Sequence, residues 1–138
     1  LGNFSSFGMG GVSHPSQLYA VELLKRERTN LSHKALPEFY DNQRNKYGDK
    51  FNQLGIKLYS GEGGFYHWCK LPGKLTGAEL NNRLFKYGAA ILKGTDCDMA
   101  REGANSTLRQ FFRFSFGPLS PESFDLDMDI LDKALNES

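Results

Sequence analysis

Between Arg109 and Leu119 the chain reads Arg-Gln-Phe-Phe-Arg-Phe-Ser-Phe-Gly-Pro-Leu. Phenylalanines at 111, 112, 114 and 116 suit a pleated, mostly buried strand, and Gly117-Pro118 stops it. The rest of the fold must therefore supply partners for an aromatic strand. Arg113 stands in its middle, and arginine is almost never fully buried unless paired. Its planar fork of donors suits bidentate recognition of a carboxylate or phosphate. The plainer alternative is that Arg113 snorkels to water or pairs with a neighbouring acid.

Local signals place the other elements. Residues 1–12 are Gly- and Ser-rich and read as a loop. Ser13 is a candidate N-cap ahead of Pro15, and a helix is expected from there to about Arg28, with Leu18, Val21 and Leu24 on one face. A polar connection over Thr29–Lys34 then precedes the longest helix. In that helix Leu36, Phe39 or Tyr40, Gln43, Tyr47, Phe51 and Leu54 recur at helical spacing until Gly55 ends it. Ile56–Tyr59 and Phe65–Leu71 read as strands joined through Gly61, Gly63 and Gly64. Thr76-Gly77-Ala78-Glu79 is a capping box, with Leu75 and Leu80 as its hydrophobic staple, and that helix ends at Gly88. Ala89–Leu92 is a short strand, and Lys93–Leu108 is a long polar loop of the kind that often carries function. Ser120-Pro121 opens a last helix with Phe124, Met128, Leu131 and Leu135 facing inward. The order is α-β-β-α-β-β-α. The expected fold class is α+β: a long N-terminal helix, then a small, mostly antiparallel sheet with helices packed on one face.

Composition removes several classes of function. With 17 Lys and Arg against 16 Asp and Glu, the net charge of +1 gives no drive towards nucleic acid or an anionic membrane. No apolar run approaches the ~20 residues that span a bilayer. Cys69 and Cys97 are too few and too far apart for a disulfide framework, which favours a reducing compartment. His14, His33 and His67 show no zinc spacing with either cysteine, and no metal site is expected. The glycine clusters at 8–11 and 61–64 do not lead into a helix N-terminus as a phosphate loop requires. His67 and Cys69 alternate with Trp68 and should share one strand face. Glu62, Asp96, Asp98 and Glu102 read as a solvated acidic loop rather than a cation site, and nothing marks Lys93 as an activated lysine.

The ordered set of motifs adds a further reading. Gly63-Gly64-Phe65-Tyr66-His67-Trp68, the helix from Thr76 to Tyr87, Ala90-Ile91-Leu92-Lys93-Gly94-Thr95 and Phe111-Phe112-Arg113-Phe114-Ser115-Phe116-Gly117 follow one another in order. Together they resemble the C-terminal small domain of class I/II aminotransferases, pyridoxal-phosphate enzymes of fold type I. The resemblance implies that residues 1–30 are a remnant of the large cofactor-binding domain, 31–55 a bridging helix and 56–138 the small domain. It implies a parent enzyme, a cytoplasmic homodimer using pyridoxal 5'-phosphate, that moves an amino group between an amino acid and a 2-oxo acid. In that family the arginine at the position of Arg113 grips the substrate α-carboxylate. Arg109, four residues earlier, is its rival and would share its face in an unbroken strand.

The Schiff-base lysine, the aspartate that pairs with the pyridine nitrogen and most phosphate donors of the family precede the part that Leu1 begins. The chain is therefore expected to be a fragment, to have no catalytic or cofactor-binding residue of its own, and to be inactive alone without bound cofactor. The Asn3–Phe7 stretch carries no cation where the aspartate-specific branch has an arginine, so a neutral substrate side chain is expected. The alternative is an RNA-binding or protein-interaction α/β module, since exposed aromatics on a strand can stack bases.

Overall fold

The aromatic strand lies inside a four-stranded antiparallel sheet. In the computed structural model, residues 13–137 are described. The glycine-rich opening, the cation-free Asn3–Phe7 stretch and residue 138 lie outside the described residues. The strands are β1 (Lys57–Leu58), β2 (Tyr66–Lys70), β3 (Leu92–Lys93) and β4 (Phe111–Ser115), in the spatial order β1-β2-β4-β3. Trp68 faces Arg113 across the β2–β4 pair, and Leu92 faces Arg113 on its other side. The helices are α1 (His14–Leu23), α2 (Arg26–Gln53), α3 (Gly77–Phe85) and α4 (Phe124–Asn136). The fold class is the expected α+β, with the sheet covered by helices on one face.

Alternation along the strands decides which face is covered. His67 and Cys69 of β2 and Phe112 of β4 are buried, and Phe114 is partly buried against the same core. Tyr47 of α2 lies 5.1 Å from Phe114, and Phe51 lies 4.9 Å from Phe114 and 6.4 Å from Phe112, measured between ring centres. Leu80 and Leu84 of α3 and Met128, Leu131 and Ala134 of α4 complete this core. Arg83 of α3 donates to the carbonyls of Ala134 and Leu135 at 3.0 and 3.3 Å, joining the two helices at the end of α4. The opposite face of β2 and β4, carrying Tyr66, Trp68, Lys70 and Arg113, has no helix over it within the unit of residues 39–138.

Locally encoded features form as the sequence indicates. The Thr76 backbone N–H donates to Glu79 at 2.8 Å while the Glu79 N–H donates to the Thr76 hydroxyl at 3.2 Å, the reciprocal capping box. Gly55 and Gly88 take positive φ, +74° and +72°, where an L side chain would be strained. Each is followed by a residue whose N–H closes the helix end, Ile56 to the Phe51 carbonyl at 2.9 Å and Ala89 to the Leu84 carbonyl at 3.1 Å.

Several boundaries differ from the sequence reading. The first helix ends at Leu23 rather than near Arg28, and α2 begins at Arg26, running through the expected Thr29–Lys34 connection and through Pro37. Thr29–Lys34 is polar but contains neither glycine nor proline, and the Thr29 N–H and hydroxyl both return to the Lys25 carbonyl. Ser13 caps α1 by position, without a side-chain bond. The third strand is Leu92–Lys93 instead of Ala89–Leu92, because the Asn81 side-chain oxygen takes the Ile91 N–H at 2.9 Å and removes it from the ladder. The last helix is preceded by a 3-10 turn over Pro121–Ser123.

The chain divides into units of residues 1–38 and 39–138, and α2 passes from one to the other. The inward-facing run of α2 starts at Gln43 with Tyr40 partly buried. Leu36, expected on that face, is exposed, and of the alternatives Phe39 and Tyr40 it is Tyr40 that packs against the core. No described helix is long and apolar enough to cross a membrane.

Candidate functional site on the uncovered sheet face

Antiparallel pairing gathers a set of side chains on the uncovered face. A shallow basin of about 370 Å³ is lined by Tyr59, Ser60, Gly61, Gly63, Gly64, Tyr66, Trp68, Cys97 and Arg113. Strand β4 supplies Arg113, β2 supplies Tyr66 and Trp68, the β1–β2 connection supplies Tyr59 through Gly64, and the 3-10 turn Gly94–Cys97 supplies Cys97. Among the described residues of the lining, Arg113 alone is charged.

The described contacts of Arg113 bear on both sequence readings of it. Its guanidinium carbon lies 5.3 Å from the centre of the Tyr66 ring, a cation–π contact. None of the ion pairs among the described residues includes it. Its Nε is buried and has no hydrogen-bond partner among the described residues. A buried donor without a partner forfeits about 1–3 kcal/mol, so the group is set to gain from an acceptor. The neighbouring acid that would make Arg113 a structural residue is absent from its described surroundings.

Arg109 does not share this face. It is exposed in the turn before β4, where its N–H donates to the Ser106 carbonyl at 3.2 Å and its carbonyl accepts from Gly77 at 2.8 Å. The strand needed to align it with Arg113 begins only at Phe111.

The other residues singled out in the sequence fall apart chemically. His67 and Cys69 do share a face, but it is the covered one. Burial pushes the Cys69 thiol well above its usual range, which leaves it protonated and inert. Lys93 is paired with Asp96 at 3.3 Å. Asp98 accepts from the Ala100 and Glu102 amides at 2.9 and 3.2 Å. The Ser106 hydroxyl, together with these bonds, holds its carboxyl below the usual carboxylate range. No group of three or more His, Cys, Asp or Glu able to hold a metal occurs among the described residues.

Sequence reasoning missed the aromatic wall of the basin. Alternation on β2 put Tyr66 and Trp68 together, but only the register, with Trp68 opposite Arg113, brings them to the arginine. The same holds for the Gly61–Gly64 stretch, discarded as a phosphate loop, which forms one side of the basin.

The fold has counterparts among solved structures. A Thermus thermophilus aspartate aminotransferase carrying four mutations matches 96% of this chain and 34% of its own, with a TM-score of 0.75 and 19% identity. Valine-pyruvate aminotransferase from Salmonella typhimurium matches 83% of this chain and 31% of its own, with a TM-score of 0.68 and 18% identity. The α-aminoadipate aminotransferase of Thermus thermophilus, solved with N-(5'-phosphopyridoxyl)-L-leucine, matches 83% of this chain and 28% of its own, with a TM-score of 0.61 and 22% identity. Neither a family model nor a curated protein matches the sequence. At these identities the likeness establishes the fold, which is that of an aminotransferase small domain. The chain spans about a third or less of each of these three structures.

Proposed function

We propose that this chain is the substrate-binding small domain of a pyridoxal-phosphate aminotransferase, with Arg113 receiving the α-carboxylate of the amino acid and of the 2-oxo acid. The observation that carries the reading is an arginine without an acidic partner among the described residues, its Nε buried, on the uncovered face of this fold. A carboxylate docked there would meet a guanidinium already braced by Tyr66, so little side-chain entropy remains to be lost. Holding the carboxylate fixes the orientation of the rest of the substrate, which is how a binding group contributes to rate. In this reading residues 1–30 belong with a large domain, 31–55 bridge, and 56–138 form the small domain of a homodimeric enzyme.

The basin does not fit the cofactor itself. Its described lining offers no lysine to form an imine, no acid to pair with a pyridine nitrogen and one cation in all. The chemistry of amino-group transfer is therefore assigned to residues outside this basin, and Arg113 is given binding alone. Two experiments test the proposal. Titration of the 138-residue chain with pyridoxal phosphate should give no saturable, stoichiometric adduct that survives dialysis. Arg113→Ala in the intact enzyme should abolish turnover while the bound cofactor keeps its visible absorbance. A dialysis-resistant one-to-one adduct, or an active variant, would overturn it.

The uncovered aromatic face supports one other reading. Tyr59, Tyr66, Trp68 and Phe111 with Lys70 resemble a stacking platform for single-stranded RNA, and Trp68 already stacks on Phe111 at 5.8 Å. Salt-sensitive retention on an oligonucleotide column would favour it over the aminotransferase reading.

A further inference from the structure

His67 is buried on the covered face, yet its hydrogen bonds lead to the basin on the other. Its Nε2 lies 2.9 Å from the Arg44 carbonyl oxygen, and its Nδ1 lies 2.9 Å from the Ser60 hydroxyl. A carbonyl oxygen can only accept, so Nε2 carries the proton. In the neutral ring Nδ1 is then an acceptor, and the Ser60 O–H donates to it. The same Ser60 oxygen accepts the Trp68 backbone N–H at 3.1 Å. These bonds form one directed chain: Trp68 N–H to Ser60, Ser60 O–H to His67, His67 Nε2–H to the backbone of α2.

Ser60 stands at the boundary of two cavities. It lines the basin with Tyr59, Trp68 and Arg113, and it also lines the neighbouring cavity that His67 and Arg44 share. The connection that holds it carries Gly61, Gly63 and Gly64, so the backbone there has little stiffness of its own. The ring of His67 is held in turn by Phe116 and Phe51, with ring centres at 5.1 and 5.9 Å. An anchor in the core thus reaches the glycine-bearing wall of the site through the Ser60 hydroxyl.

We propose that His67 is a positioning residue for the Arg113 basin, its Nε2–H tautomer fixing Ser60 and through it the wall from Tyr59 to Gly61 against β2. The role at the site rests on reading the basin as the substrate site, but the relay itself does not. The Tyr59 N–H donates to the Trp68 carbonyl at 2.8 Å and the Gly61 carbonyl accepts from Arg44 at 3.3 Å, so without the relay it is Ser60, between these two ties, that loses its hold on β2.

The chain has a single tryptophan, Trp68, which reports on the relay directly. Hydrogen exchange of the Trp68 amide is measured relative to that of the core residue Phe112 in the wild-type chain and in three variants. Ser60→Ala and His67→Gln, which keeps a donor to Arg44 but not a partner for Ser60, should each speed it by about five- to tenfold, the loss of one hydrogen bond. His67→Asn, whose amide stands in for the Nδ1 side, should hold it within about twofold. The imidazole nitrogen spectrum of the wild type should show a protonated Nε2 and a bare Nδ1. A protonated Nδ1, or Ser60→Ala exchange within twofold of wild type, overturns the relay even where a histidine variant fails to fold. In the intact enzyme Ser60→Ala should raise KM for the amino acid while leaving kcat unchanged; an unchanged KM would confine His67 to a structural role. Failure of the substrate-site reading shows separately, as an active Arg113→Ala enzyme.

Discussion

The guanidinium of Arg113 is stacked over the Tyr66 ring at 5.3 Å, and neither residue is covered by any of the three helices that close the sheet's other face. Both side chains project from a sheet whose core is held by aromatic contacts, so their relative placement follows from strand register rather than from loop conformation. That placement makes Arg113 a binding group in the proposed function, and it also makes the basin sensitive to changes remote from it.

One such change lies at Gly94, at the start of the turn that carries Cys97. A Cβ added there would stand 2.3 Å from the Leu108 carbonyl oxygen and 2.8 Å from that of Phe111. Both neighbours are backbone, so they yield only by moving the entry to β4. Gly94→Ala is expected to destabilise the fold by about 1–3 kcal/mol, the usual range for overpacking. Urea denaturation checks it, and an unchanged midpoint would show that the loop gives way without cost.

His67 sets a pH dependence. Burial holds its pKa below the usual histidine value, the bond to Arg44 raises it, and the Arg44 charge lowers it. Asp49 of α2 and Glu62 of the β1–β2 connection line the adjacent cavity, while β4 places Phe114 opposite His67 and the Phe116 ring follows just after the strand. Because the folded pKa is depressed, the unfolded chain binds the proton first as pH falls. Stability is therefore full above about pH 6.5 and declines below it towards the depressed folded value. Thermal melts from pH 8 to pH 5 should show this decline in the wild type and a weaker one in His67→Asn. Equal declines would exclude His67 as its source.

Helix α1 and the residue that follows it carry exposed apolar side chains on several sides, with Glu22 among them. Leu18, Tyr19, Val21, Leu23 and Leu24 are 59–73% exposed, and successive 100° steps spread them around the helix. Leaving such side chains in water forfeits roughly 1.5–3 kcal/mol each. The isolated chain should self-associate, or lose residues 13–25 early to protease. Size-exclusion chromatography over a concentration series, paired with limited proteolysis, measures both; a monomer with a protease-resistant N-terminal third would contradict the expectation.

What could be read from the sequence was what neighbouring residues settle among themselves. The capping box at Thr76, the closing glycines 55 and 88 and the inward stripe of α4 depend on residues a turn or two apart, and each formed as expected. The break at Leu24–Lys25 has no glycine or proline to announce it, and the helix after it passes through Pro37. The site was half legible. Arg113 stood out because a charge in an aromatic strand is anomalous. Trp68 meets Arg113 only through the register of β2 on β4, which a shift of one residue would change, and the Ser60–His67 relay depends on where the β1–β2 connection returns over β2.

In the proposed function Arg113, and not Arg109, holds the substrate carboxylate. Steady-state kinetics of the intact enzyme with each arginine changed to alanine test it most directly. Removing a partner from a buried, hydrogen-bonded charge pair costs about 2–5 kcal/mol, or roughly 30- to 5,000-fold in kcat/KM. Arg113→Ala should show a loss in that range with the cofactor still bound, and the exposed Arg109→Ala a change of less than about threefold. A large loss for Arg109→Ala with Arg113→Ala near wild type would contradict it.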